Sequence, residues 1–254
     1  MKEQNQKISL GFKTDICKEH GEYQAEVFEL KIGEFSRKSQ TWCPECEKIR
    51  IEEKKKEEAE EEKEKINRRV EYTNIPKRFL DCSFENYQTS KESNFNFKTI
   101  SIFFKKFEEL KEKGASMILC GKPGTGKTHL AAAGILSLAK SGKYVKYTTS
   151  YKLFAMIKAT YSKYSDESDQ EIIKRYTECE LLVIDEVGVQ FGSEAEKVLF
   201  YQIINGRYEN VLPTILISNL NKDGVKDFIG DRCFDRLKEG GGAVLSFDWE
   251  SHRK

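Results

Sequence analysis

From residue 116 onward, apolar residues gather in five short blocks, at positions 116–120, 143–148, 181–185, 214–219 and 243–247. The third, Leu181-Leu182-Val183-Ile184-Asp185, is apolar on both faces, as a central parallel strand must be when helices cover both sides of the sheet. Between the blocks the period changes. Residues 129–136, 169–178, 193–209 and 222–238 carry apolar side chains at helical spacing, the last with a break near Gly230. A further helix after Ser150 carries Leu153, Phe154, Met156 and Ile157, with Ser150 as its predicted N-cap. Strand–helix alternation of this kind predicts a five-stranded parallel α/β sheet flanked by helices. Upstream, residues 98–113 predict another helix, with Ile102, Phe103, Phe107 and Leu110 turned to the sheet. The aromatic residues Phe84, Tyr87, Phe95 and Phe97 precede it and suit core packing.

The N-terminal part reads differently. Residues 21–30 alternate well enough for a strand, with Lys31-Ile32-Gly33 as a turn. On either side stand Cys17-Lys18-Glu19-His20 and Cys43-Pro44-Glu45-Cys46. Two such tight turns present Cys17, His20, Cys43 and Cys46 as a tetrahedral Zn²⁺ set with no open position, hence a structural site. A segment this short needs such a staple. The result is a small zinc-ribbon-like module over residues 1–48. Positions 52–65 are charged at every residue but Ala59. Opposite charges recur three and four apart, as in Glu53–Lys56 and Glu61–Lys65, and there is no apolar heptad seam. This predicts a solvated helical linker over 49–71, with the main domain at 72–254.

Composition narrows the picture further. The 254 residues carry 43 Lys and Arg against 42 Asp and Glu, a formal charge of +1. Any nucleic-acid surface must then be a local patch, for which Lys143, Lys146, Lys152 and Lys158 are candidates. The N-terminus has no signal-peptide pattern, and no apolar run reaches the ~18 residues a membrane span needs. Seven cysteines, three of them clustered with a histidine, suit a metal site in a reducing cytoplasm better than a disulfide framework.

The chemistry centres on Gly121-Lys122-Pro123-Gly124-Thr125-Gly126-Lys127-Thr128, which fits the nucleoside-triphosphate phosphate loop. It lies between a predicted strand and a predicted helix, the context that gives the motif meaning. Glycines let the backbone N–H groups close on phosphate oxygens, and the helix N-terminus adds its dipole. Lys127 is placed to reach the β- and γ-phosphates of ATP, and the Thr128 hydroxyl to ligate Mg²⁺. The third strand ends in Asp185 and Glu186, at the same sheet edge. Asp185 suits Mg²⁺, through water, and Glu186 suits the general base that activates the attacking water. Asn219 ends the fourth strand and reads either as a turn residue or as a contact to the water or γ-phosphate. Arg232 and Arg236, four apart on one helical face, read either as surface ion-pair formers or as stabilisers of the developing γ-phosphate charge, a role open to them in trans from a neighbouring subunit.

These motifs together, with Ile75-Pro76-Lys77-Arg78-Phe79, the run from Ile184 to Gln190, Ile217-Ser218-Asn219, the segment from Gly230 to Leu237 and the ending Asp248-Trp249-Glu250-Ser251-His252-Arg253, resemble an AAA+ ATPase. More narrowly they resemble the DnaC-type replicative-helicase loaders and the related IstB transposition ATPases. The resemblance implies a sensor-1 role for Asn219, an arginine finger at Arg236 with Arg232 beside it, and a sensor-2-like role for Arg253. It implies slow or partner-regulated ATP hydrolysis, with the usual helical lid truncated or absent. It also implies loading of a hexameric replicative helicase onto single-stranded DNA, with ATPase domains assembling side by side and the N-terminal module gripping the helicase. The alternatives are an IstB-like transposition helper and a nucleotide-switched adaptor in which hydrolysis is incidental.

Overall fold

The computed structural model describes residues 6–33, 35–161, 167–189 and 194–252. The chain forms two compact units, Met1–Lys65 and Ile66–Lys254. In the first, strands β1 (Gln6–Cys17), β2 (Gly21–Ile32) and β3 (Phe35–Gln40) make an antiparallel sheet in that order. Only the middle strand was expected. Its neighbours lack a clean two-residue alternation, and β1 is interrupted by a register shift between Ser9 and Gly11. Helix α1 (Pro44–Tyr72) follows without a break, so the charged stretch is the body of one helix that starts inside the C-x-x-C motif. Among its described residues none is buried. Ion pairs such as Lys54–Glu58 and Lys65–Glu61 line it, each worth about 0.3–0.5 kcal/mol.

The second unit continues with α2 (Asn94–Lys105), α3 (Phe107–Glu112), β4 (Met117–Gly121), α4 (Lys127–Lys140), β5 (Val145–Thr149), α5 (Ser150–Ala159) and α6 (Asp169–Glu178). It closes with β6 (Leu181–Val187), α7 (Glu194–Glu209), β7 (Thr214–Ser218), α8 (Lys222–Ile229), α9 (Asp231–Lys238) and β8 (Ala243–Phe247). All five strands are parallel, in the order β5-β6-β7-β4-β8. Alternate residues feed two cores. Met117, Leu119, Leu181, Val183, Ile215 and Ile217 pack with α2, α3 and α4. Ile118, Cys120, Leu182, Ile184 and Leu216 face the other way, onto α5 through α9. The period-2 geometry of a strand splits each doubly apolar block in this way.

Several expectations change. The helix expected over 98–113 is two helices, separated at Lys106 (φ −103°, ψ 27°). Phe103 and Phe107 are buried as expected, but Ile102 is 53% exposed because the core face of α2 runs through Ile100, Phe103 and Phe104. The cap of α5 is Thr149, whose side chain accepts from Lys152 N, and Ser150 is the first helical residue. Ser193, where α7 was expected to begin, lies outside the described residues.

One polar group is central to the second core. Arg207 of α7 is fully buried. It donates to Thr214 Oγ1 (2.9 Å), Tyr176 O (2.8 Å), Cys179 O (2.9 Å) and Pro213 O (2.5 Å). One side chain thereby joins the end of α6 to the start of β7. Each buried carbonyl left without a donor costs about 1–3 kcal/mol. Arg207→Met is therefore expected to lower stability by about 2–4 kcal/mol, read as a shift of the urea midpoint at unchanged slope.

Candidate nucleotide site and candidate metal centre

The phosphate loop joins the end of β4 to the start of α4 at the C-terminal edge of the sheet. Two glycines are obligatory for its shape. Gly121 has φ 119°, and a Cβ there would stand 2.5 Å from Phe247 O. Gly126 has φ 93°, and a Cβ there would stand 2.5 Å from the Tyr87 ring. Between them, the carbonyls are claimed by the surrounding protein. Thr125 O accepts from Tyr87 Oη and from Trp249 Nε1, both at 3.2 Å. Gly124 O accepts from His252 N at 2.9 Å. The flanks are tied as well, Gly121 N to Leu220 O and Lys122 N to Phe247 O, both at 2.8 Å. Lys127 is buried and its Nζ donates to Gly121 O (2.8 Å) and Lys122 O (2.6 Å). An ammonium held over its own loop is poised to exchange these carbonyls for phosphate oxygens.

Thr128, the next residue, meets the carboxylate strand. Its Oγ1 donates to Asp185 Oδ2 at 2.8 Å. Tyr147 Oη donates to the same oxygen at 2.8 Å. Burial first, and then the Asp185 charge, push the Tyr147 phenol far above its ordinary range, so it stays the donor. Asp185 is buried, and its Oδ1 accepts from Glu186 N at 2.6 Å. Glu186 itself is exposed and adopts φ 58°, a left-handed conformation that costs a non-glycine residue about 1–3 kcal/mol. The strain coincides with a register shift between Ile184 and Val187 in the pairing of β6 with β7. Ser150 Oγ donates to Glu186 O at 3.0 Å, and Ser218 Oγ to Val187 O at 2.5 Å, so the bulge is held from both sides.

Residues 123–128, Asp185, Glu186 and Asn219 line one cleft of about 650 Å³. Pro76, Arg78, Phe79, Tyr147, Tyr151 and Lys152 also line it. Of these, Tyr147 was read only as part of a strand, and nothing in its local sequence marks it. The supports Tyr87 and Trp249 were likewise legible only as aromatic residues. Arg232 and Arg236 are not in this cleft. Arg236 lies between Tyr201 and Tyr208, 5.2 Å from each ring centre, in a hollow shared with Ser116 and Thr214. Ser116 immediately precedes β4 and Thr214 begins β7, so both stand at the edge opposite the one where β4 enters the loop and β7 leads to Asn219. The five residues of β4 alone put about 16 Å between these edges. Arg232 is exposed in the first turn of α9. Arg253 lies outside the described residues.

The four candidate lysines do not make one basic patch. Lys143 pairs with Glu108 and Glu180, and Lys158 with Glu196. Lys146 is buried and donates to Tyr72 O. Only Lys152 is both exposed and turned to a cleft, and that cleft is the phosphate-loop one.

In the N-terminal unit, the ligand atoms of Cys17, His20, Cys43 and Cys46 all lie within 4.8 Å of one another. Cys17 ends β1, His20 is in the following turn, Cys43 precedes α1, and Cys46 is in its first turn. His20 Nδ1 is 3.5, 3.7 and 3.3 Å from the sulfurs of Cys17, Cys43 and Cys46. Zinc–sulfur bonds of about 2.3 Å in a tetrahedron imply edges of about 3.8 Å, so the spacing fits. The thiols also oppose each other. Cys17 is brought down to about 6, first by the Glu19 backbone N–H and then by His20. Cys46 is pushed up to about 12, first by its hydrogen bond to Cys17. A divalent cation removes that conflict by stabilising both thiolates.

A parallel sheet that brings a phosphate loop and paired carboxylates to one edge defines a P-loop nucleotide-binding protein. Residues 50–239 match the IstB-like ATP binding protein family. The chain is 36% identical over 191 residues to the replicative helicase loader DnaC of Buchnera aphidicola subsp. Baizongia pistaciae, covering 75% of this chain and 76% of that protein. It is 35% identical over 189 residues to DnaC of Escherichia coli K12, covering 74% and 76%. A crystal structure of the DnaC helicase loader shares the fold at a TM-score of 0.59 and 23% identity, covering 68% of this chain and all of that one. The chain belongs to the IstB-like ATP-binding family, together with the DnaC replicative helicase loaders.

Gly126→Ala tests the loop geometry. The added methyl is expected to lower stability by about 1–3 kcal/mol and to abolish the rise in melting temperature expected of the parent chain with ATP, read by thermal unfolding with and without nucleotide.

Proposed function

We propose that this chain is an ATP-hydrolysing, cytoplasmic replication protein that loads a hexameric replicative helicase onto single-stranded DNA. The observation that carries the reading is the meeting of Lys127, Thr128, Asp185 and Glu186 in one cleft of a chain similar to DnaC loaders over three quarters of its length. In this reading Lys127 leaves the carbonyls of Gly121 and Lys122 for the β- and γ-phosphates. Thr128 and Asp185 would hold Mg²⁺, which would supply charge to offset the phosphate oxygens. Glu186, pinned at its bulge, takes the proton of the attacking water, and Asn219 orients that water. Arg236 sits at the far edge of the sheet, so its finger role is exercised on the nucleotide of a neighbouring subunit, through self-association of the ATPase domains. Arg232 on the same helix assists it, and Arg253 has the sensor-2-like role. The residues divide as zinc module 1–48, linker 49–71 and ATPase domain 72–254, with the module as the grip on the helicase.

The deciding experiment is helicase loading on a single-stranded circle with purified cognate helicase. ATP-dependent loading is expected with the parent chain. Lys127→Ala is expected to lose both ATP binding and loading. Glu186→Gln is expected to bind ATP normally and hydrolyse it about 10²-fold or more slowly. If the helicase neither binds nor loads, the reading fails; preference for duplex DNA would favour a transposition helper instead.

Zinc holds the N-terminal module in this reading. Metal analysis is expected to find one zinc per chain, lost in Cys43→Ser. That variant should lose protection from proteolysis within residues 6–48 while the ATPase unit melts as before.

A further inference from the structure

The buried hydroxyl of Tyr147 belongs to none of the roles described so far. We propose that Tyr147 is a positioning residue of the nucleotide site, its hydroxyl orienting the Asp185 carboxylate toward the nucleotide-bound divalent cation. This inference rests on the reading of Asp185 as the carboxylate that serves that cation.

The geometry is specific. In the pairing of β5 with β6, Tyr147 stands opposite Val183 and Thr149 opposite Asp185. Tyr147 is therefore one pleat short of the carboxylate, and only a long side chain on that face reaches forward to it. Its hydroxyl does so, at 2.8 Å from Asp185 Oδ2. The same oxygen accepts from Thr128, and Oδ1 accepts from Glu186 N. Of the two donors to Oδ2, the Thr128 hydroxyl is the one that turns its own oxygen toward a cation. Tyr147 has no such second duty. It is the donor that keeps the carboxylate's plane when a cation arrives.

The strand carrying Tyr147 is itself restrained. β5 is the edge strand of the sheet, a position with backbone groups open on one side. Tyr147 N donates outward to Thr73 O at 2.7 Å, and Lys146 Nζ donates to Tyr72 O at 2.6 Å. The ring is 4% exposed and packed in the core with Val183 and Leu130. Backbone, ring and hydroxyl are each held, so the donor arrives at a set place.

The test uses the full chain, a fluorescent ATP analogue and Mg²⁺. Tyr147→Phe keeps the ring and removes only the donor. The Mg²⁺ concentration for half-maximal analogue binding is expected to rise about ten-fold or more, the range seen when a metal ligand loses its orienting partner. Analogue affinity in EDTA should be unchanged. In an Asp185→Asn background, Tyr147→Phe should add no further loss, because its effect passes through that carboxylate. An unchanged Mg²⁺ requirement in Tyr147→Phe overturns the proposal. So does an equal loss in the Asp185→Asn background, or an equal loss in EDTA, either of which would mark a structural role. If Asp185→Asn by itself leaves the Mg²⁺ requirement as in the parent, the reading of Asp185 fails, and the proposal with it. A melting temperature for each variant separates these outcomes from misfolding.

Discussion

A buried carboxylate is the constraint on which the site depends. Taking Asp185 out of water is costly unless its oxygens are hydrogen-bonded. Here the bonds come from three elements: Thr128 in the first turn of α4, Tyr147 on β5, and the Glu186 N–H within β6 itself. The same bonds that make the burial tolerable also set the relation between the phosphate loop and the carboxylate strand. Strand order does the rest. β7 lies between β6 and β4, so Asn219 at its end falls between the carboxylates and the loop, and all three open on one cleft.

One of the strained backbone positions falls where the chemistry is assigned. Glu186 has a backbone conformation that its residue type disfavours, and serines from α5 and β7 hold the peptide carbonyls on both sides of the bulge. The phosphate loop shows the complementary solution. Its positive-φ positions are glycines, and its carbonyls are fastened to Tyr87, Trp249 and the backbone of His252. A loop that is shaped before nucleotide arrives loses little ordering entropy on binding. The arginine pair follows the opposite logic, because the sheet's own length keeps Arg236 away from the cleft of its chain. A role for it in hydrolysis requires a second subunit.

Much of this was legible along the chain because the signals are short-range. The blocks that became β4 to β8 are short and rich in apolar residues, the one forming β6 apolar on both faces, and the loop motif lies between a strand and a helix. The four zinc-type ligands stand in two tight turns, which makes their convergence a matter of one hairpin and one helix start. The flanking strands β1 and β3 were not legible. Their pairing depends on backbone hydrogen bonds to β2, and their exposed side chains carry little pattern. Nor was the fate of the lysines, since the partners of Lys143 (Glu108 and Glu180) and of Lys146 (the Tyr72 carbonyl) lie tens of residues away in the chain.

The sequence by itself determined the nucleotide chemistry, the α/β alternation and the metal-type donor set, because each depends on residue types at fixed local spacing. Tertiary structure decided the rest. It placed Tyr147 on Asp185 across a strand pairing and Tyr87 under Gly126, and it set Arg236 at the opposite sheet edge. It also buried Arg207 completely, among the carbonyls at the end of α6 and the start of β7. These are contacts between residues tens of positions apart, and only the register of the strands and the packing of helices on them bring such residues together.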